Sequence, residues 1–328
     1  MKIGFLGKQN FFAMELLKQL EAGNSQDEFV TWLPGEKAPA MDLQVLIAVG
    51  KVGADEFEGQ AKLGLLQMAS AGYDGVDVEV ATKAGIWVAS SPTTKTGNGE
   101  SVAEFAVLLM LAASRQLNKE LAFTRDGSQD RREKPATNTA LYGKTACIVG
   151  LGGIGALLVE RLRGFGMVLV GVDMHPEYAP AGVKGYASDE LKEALSTADF
   201  LILAIPATKD NENMIDAEIL AAMKKGAVLV NVARGSLVDE AALLAAVRSR
   251  HIYGAGLDVV KDEPVKAENA LLTEPRIFVT PHVAGSTDVM LSGTVKYLGE
   301  VLAGYRDGVR PDGVVNKPEE PRVSLRKN

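Results

Sequence analysis

Short apolar runs alternate with amphipathic stretches along almost the whole chain. Residues 2–6, 45–49, 65–68, 145–149, 168–172, 200–205, 227–230 and 277–280 read as strands. Residues 11–21, 54–62, 78–84, 155–165, 189–196, 216–223 and 240–249 read as helices between them. A strand that is apolar throughout is buried on both faces. The rhythm therefore predicts an α/β fold, with doubly wound parallel sheets covered by helices on both sides. One longer helix, 101–121, rich in Leu and Ala, interrupts the pattern. The polar segment 124–139 after it, with a charge run at 130–134, reads as an exposed loop. Residues 317–328, with two prolines and mixed charge, read as a loosely held tail.

A glycine-rich turn follows the run 146–149. It is Gly150-Leu151-Gly152-Gly153-Ile154-Gly155, and a helix opens behind it. The first glycine permits a tight turn, the second lets the backbone approach a pyrophosphate, and the third lets helix and strand pack closely. The helix N-terminus adds free N–H groups and a partial positive charge for the phosphates. The next strand ends at Asp173, which accepts hydrogen bonds from ribose hydroxyls and repels the 2′-phosphate of NADP. Met174 and His175 follow, with no arginine beside it. The unit is expected to bind NAD. Residues 4–7 lack the third glycine and an acidic partner, and read as the first strand of a second α/β domain.

Composition narrows the rest. A length of 328 residues allows two domains, and 47% hydrophobic residues can fill their cores. The net charge of −7 excludes the basic stripe of a nucleic-acid binder. Cys147 is the one cysteine, so there is no intramolecular disulfide and no cysteine metal cluster; it reads as a small core residue. Residues 1–12 do not read as a secretion signal, and residues 102–113 are too short for a bilayer span of about 20 residues. The expected setting is cytoplasmic, with no membrane and no nucleic-acid partner.

Three histidines are present: His175, His251 and His282. His282 directly follows the strand 277–280, at the end of a strand where open α/β sheets bind ligands. Imidazole gains and loses a proton near neutrality, as carbonyl reduction requires. His251 ends the helix 240–249 and reads as a structural cap; His175 reads as a surface neighbour of the ribose. Arg234, after the strand 227–230, can grip a carboxylate and polarise a carbonyl. Glu263, after a further short strand, can pair with His282, favour its charged form and fix its tautomer. Taken singly, Arg234 and Glu263 also read as surface ion-pair members, and His282 as a capped loop residue. Their recurrence after successive strands of a dinucleotide-binding sheet favours the catalytic reading.

The stretches GLGGIG, LVNVARGSLVDEAAL, GLDVVKDEP and TPHVAG together resemble the NAD-dependent D-isomer-specific 2-hydroxyacid dehydrogenases. ASAGYDGVD and SVAEFAVLLMLAASR match that family as well, and the likeness runs from about residue 45 to 300. It implies Arg234, Glu263 and His282 as catalytic residues. It implies a cofactor site of Gly150, Gly152, Gly153, Ile154, Gly155, Asp173, Pro206, Val232, Ala233, Arg234, Asp258 and His282, with Asp258 at the nicotinamide carboxamide. The substrate, a small 2-oxo or 2-hydroxy acid, would meet the backbone of Ser70, Ala71 and Gly72 together with Arg234 and His282. Lys51 is a further substrate candidate, with an exposed solubilising lysine as its plainer reading. The resemblance also implies a discontinuous flavodoxin-like substrate domain (1–97 and 288–328), a Rossmann cofactor domain (98–287), an active site in the cleft, and a homodimer through the cofactor domain. Residues 93–100 look longer than the family's usual hinge, and 124–139 lack a tryptophan often found there, which leaves the acid unassigned. Formate dehydrogenases share the fold, and Asn98 resembles theirs, but they pair the histidine with glutamine. An NAD-sensing corepressor is the alternative of another class, since it can keep the same Arg, Glu and His.

Overall fold

Successive side chains on a strand point to opposite faces, so an unbroken apolar strand must feed two cores. The computed structural model describes residues 1–7, 10–36, 38–39, 41–57, 59–126 and 138–327. It shows two such sheets, and the chain divides into Met1–Asn98 with Thr287–Asn328 as one unit and Gly99–Ser286 as the other. All strand pairings within the two sheets are parallel.

The first unit has strands β1 (Lys2–Gly7), β2 (Glu28–Trp32), β3 (Val45–Val49), β4 (Leu65–Met68) and β5 (Trp87–Ala89), in the order β2-β1-β3-β4-β5. This is the flavodoxin-like order. Ile3, Phe5, Val45, Ile47 and Leu65 face the helices Phe11–Gly23 and Asp288–Arg306, against Leu16, Leu20, Leu298 and Leu302. Leu6, Leu46, Leu66 and Val88 fill the opposite core with Leu43, Phe57 and Ile86.

The second unit has β6 (Thr145–Val149), β7 (Val168–Val172), β8 (Lys184–Tyr186), β9 (Phe200–Leu203), β10 (Ala227–Asn231), β11 (Ile252–Leu257) and β12 (Ile277–Val279). Their order is β12-β11-β10-β9-β6-β7-β8, which reverses direction between β6 and β9. That reversal is the switch point at which doubly wound sheets bind ligands. Ala146, Ile148, Phe200, Ile202, Val228 and Val230 pack on the helices Asn98–Ser114 and Gly153–Gly164. Cys147, Leu201, Leu229 and Ala255 pack on the other face.

Four sequence expectations need correction. The helix expected over 101–121 is two helices, Asn98–Ser114 and Leu117–Arg125. Gln116, with φ of 47°, takes a left-handed conformation at the break, and the Ser114 carbonyl accepts from Thr139 N instead of continuing the helical ladder. The stretch 54–62 forms only one tight turn, Ala54–Glu56, because Glu56 caps Gly53 N and Gly59 turns left-handed. The strands β2, β5 and β8 do not appear as apolar runs. β2 and β8 lie at sheet edges and lack the two-sided burial that produces such runs, while β5, buried on both faces, is only three residues long and too short to stand out.

The fourth correction is the tail, which is tied down. Arg322 N donates to Gly85 O, Trp87 Nε1 to Val323 O, Arg310 N to Arg326 O and Arg326 N to Gly308 O. Residues 127–137, the greater part of the expected loop at 124–139, lie outside the described residues. Among the described residues, no helix is long and apolar enough to cross a membrane.

Cys147 is fully buried between β7 and β9, and burial pushes its thiol up to about 12. The thiolate is the reactive form, so the native chain is inert. A chromogenic disulfide reagent should leave the folded protein unmodified at about pH 8 and titrate one thiol per chain after denaturation. Prompt reaction of the native protein would contradict this burial.

Candidate active site

Parallel strands put all their carboxyl ends at one edge, so the loops that follow them gather there. After β6 comes the glycine turn. Gly150 has φ of +95°, and a Cβ on it would lie 2.5 Å from Ile205 Cγ2 and 2.7 Å from Ala204 O. A Cβ on Gly155 would lie 1.9 Å from Gly150 O, so only glycine lets the helix Gly153–Gly164 start this close to its strand. Beside Gly152 the space is open, and no side chain caps the helix. Its first amides are therefore available to an anion. Asp173, at the end of β7, holds the turn: Oδ2 accepts from Leu151 N at 2.8 Å and Oδ1 from His175 N at 3.0 Å. Each oxygen keeps a further lone pair for a hydroxyl donor. The arrangement fits a dinucleotide, with Ile154 in the first helical turn and Pro206 following β9.

His282 sits on the loop after β12, with φ of 55°. Its Nδ1 lies 2.7 Å from Glu263 Oε2, while Glu263 Oε1 accepts from Val260 N at 3.2 Å. Among the described residues, Nε2 engages no protein group. Asp258 organises this loop. It is 1% exposed, and Oδ1 accepts from Thr280 Oγ1 (2.7 Å) and Val283 N (2.9 Å), Oδ2 from Ala284 N (2.8 Å). Its carbonyl accepts from His282 N at 2.8 Å, and its own N–H donates to Asn231 O at 2.9 Å.

Arg234 follows β10 and is half-buried. Its Nη1 donates to Ala233 O at 2.7 Å, and its carbonyl accepts from Asn231 Nδ2 at 2.8 Å. Asn231 Oδ1 accepts from Ala233 N, so one buried carboxamide shapes the turn through Val232 and Ala233. A Cβ on Gly235 would lie 1.9 Å from Val260 C, which locks the Arg234 loop against the backbone leading to Glu263. Thus Arg234, Asp258, Glu263 and His282 share one continuous network at one sheet edge.

Lys51, Ser70, Ala71 and Gly72 belong to the other unit, after β3 and β4. Among the described residues, the amides of Ser70, Ala71 and Gly72 donate to no protein acceptor. Ser91 pins this turn from below, its Oγ donating to Met68 O (2.7 Å) and its N–H to Ser70 O (2.9 Å). Lys51 is exposed and rests its stem on Gly75.

The other histidines lie apart. His251 precedes β11, at the amino edge of the sheet. Its main-chain N–H, not its ring, closes the helix Glu240–Arg248 by donating to Ala246 O. His175 is exposed, 3.3 Å from Glu177. Sequence reasoning missed Asn231, Thr280 and Ser91. They are uncharged and act only through the backbone they hold, so nothing but their strand-end positions marks them.

Two family models match the chain: "D-isomer specific 2-hydroxyacid dehydrogenase, NAD binding domain" over residues 107–284, and the catalytic domain of the same description over residues 13–173. The D-3-phosphoglycerate dehydrogenase of Methanocaldococcus jannaschii is 36% identical over 293 residues, covering 89% of this chain and 55% of that protein. This chain thus spans little more than half of that relative. The glyoxylate reductase of Thermococcus kodakarensis is 34% identical over 287 residues, covering 86% of this chain and 85% of that protein. Among solved structures, the NADPH-dependent glyoxylate/hydroxypyruvate reductase of Sinorhizobium meliloti, in complex with NADP and malonate, matches with a TM-score of 0.81 at 29% identity, covering 99% of this chain and 98% of that one.

Asp258→Asn would replace one acceptor oxygen by an NH₂ group facing backbone donors. The expected loss is about 2 kcal/mol or more of stability, since bonds to a buried charged group are strong and an orphaned N–H is costly. Urea unfolding of the variant should show a lower midpoint at unchanged slope. An unchanged midpoint would remove Asp258 from this structural role.

Proposed function

The chain belongs to the D-isomer specific 2-hydroxyacid dehydrogenase family, and on that premise we propose that it transfers a hydride between NAD(H) and C2 of a small 2-oxo or 2-hydroxy acid of D configuration. The observation that carries this reading is the 2.7 Å pair of His282 Nδ1 and Glu263 Oε2, mounted on the same sheet edge as the glycine turn. When bound, the nicotinamide supplies the hydride in one direction and accepts it in the other. Glu263 fixes the ring of His282 and leaves Nε2 for the substrate oxygen. In reduction Nε2 gives a proton to the oxygen on C2; in oxidation it takes that proton back. Arg234 sets a guanidinium at the same edge, where it opposes the charge developing on that oxygen. The three successive amides from Ser70 to Gly72 suit the substrate carboxylate, and Ser91 holds them in place.

The cofactor choice rests on Asp173. Its carboxylate is anchored at the ribose end of the turn, and among the described residues it stands in no ion pair. A 2′-phosphate there would meet an uncompensated negative charge, so NAD is favoured over NADP. The relatives' names divide between a phosphorylated acid and an unphosphorylated one at nearly equal identity, so likeness alone leaves the substrate's side chain open.

His282→Gln should lower kcat on the best 2-oxo acid by about a hundredfold or more while NADH affinity stays within about twofold. Retained turnover would sink the assignment. Asp173→Ala should reduce the preference for NADH over NADPH, read as the ratio of kcat/KM, by about tenfold or more; an unchanged ratio would take the choice of NAD away from this residue. If the unaltered protein bound NADH and reduced none of a panel of 2-oxo acids, a cofactor-sensing binding protein would replace the enzyme.

A further inference from the structure

We infer that the side chain R of the substrate R–CO–COO⁻ is small and uncharged, received by a cavity of about 80 Å³ in the unit Met1–Asn98 with Thr287–Asn328; this rests on the function proposed above. The cavity shares Ser70 and Ala71 with the turn of free amides. A carboxylate held on those amides therefore has the cavity mouth within reach of its substituent.

The walls limit what enters. Phe12, Val49, Ala71 and Met290 make the apolar part. The hydroxyls of Thr96 and Thr294 are already directed to Pro92 O at 3.3 Å and Met290 Sδ at 3.5 Å. Among the described residues, the Asn98 carboxamide is bonded to no protein group. It offers one neutral polar contact, enough for a hydroxyl.

No described residue of the lining is charged. Lys95, next to Thr96, is paired with Asp312, and Lys51 is exposed and outside the wall. A phosphate ester entering here would lose its water and meet no cation, which is strongly unfavourable. Size acts in the same direction. A cavity of about 150 Å³ binds benzene, so one of about 80 Å³ suits a side chain about half that size.

The test measures kcat/KM with saturating NADH for glyoxylate, pyruvate, hydroxypyruvate, 2-oxoisocaproate and 3-phosphohydroxypyruvate, in the unaltered protein and in Met290→Ala. The first three should exceed the last two by about a hundredfold, the scale on which a pocket rejects extra bulk. Met290→Ala, which enlarges the cavity from a half-buried position, should raise 2-oxoisocaproate relative to glyoxylate by about tenfold. Preference for the phosphorylated acid, or a ranking that Met290→Ala leaves unmoved, would overturn the inference while the proposed reaction stands. Turnover of none of the acids, with NADH still bound, would overturn the proposed reaction and this inference with it.

Discussion

A buried carboxylate is tolerable only when its oxygens are satisfied, and Asp258 meets that condition by wrapping the 280–284 loop around itself. Three donors converge on one side chain, and two main-chain bonds tie the same residue to Asn231 and His282. The loop has one way to do this, and it leaves His282 in a left-handed conformation that an ordinary residue adopts only under compulsion. The position of the imidazole is thus set by the electrostatics of a neighbour that need not touch any ligand. Remove that carboxylate and the pairing with Glu263 loses its foundation.

The same economy runs through the rest of the sheet edge. Glycines at 150, 155 and 235 bring backbone against backbone, where any side chain would force strand and loop apart. Backbone contacts of this kind deform little, so the groups they carry keep their mutual geometry. Asn231 contributes similarly: its carboxamide bonds on both sides of the Arg234 turn and closes a hydrogen-bonded path from Arg234 to Glu263.

The alternation of apolar and amphipathic segments was enough to read an α/β fold, because strands buried on both faces advertise themselves. The elements that stayed hidden are those for which that physics fails. β8 and β5 are three residues long and β2 has only one strand beside it, whereas β11 (Ile-Tyr-Gly-Ala-Gly-Leu) was legible only as a short strand before Glu263, because it gives up apolar bulk where the helix Asn98–Ser114 presses on Gly254 and Gly256. The break at Gln116 was invisible because glutamine is a good helix former; the turn there is imposed by Thr139, 23 residues later. At the site, charged residues at strand ends stood out, whereas Ser91, Thr280 and Asn231 did not, since their identity matters only through which backbone atom each one meets.

The pinned tail has a consequence for how the molecule is made. Val323 covers Gly64 so closely that a Cβ there would lie 2.5 Å from its methyl group, and Arg322 crosses to Gly85, Gln60 and Leu63. The sheet β2-β1-β3-β4-β5 therefore lacks part of one wall until the chain has reached residues 322 and 323. Everything from Gly99 to Ser286 is synthesised in the interval and contains its own complete core. The unit opened before Gly99 is closed only by residues after Ser286, so its uncovered apolar face stays open to other chains while the intervening segment is made.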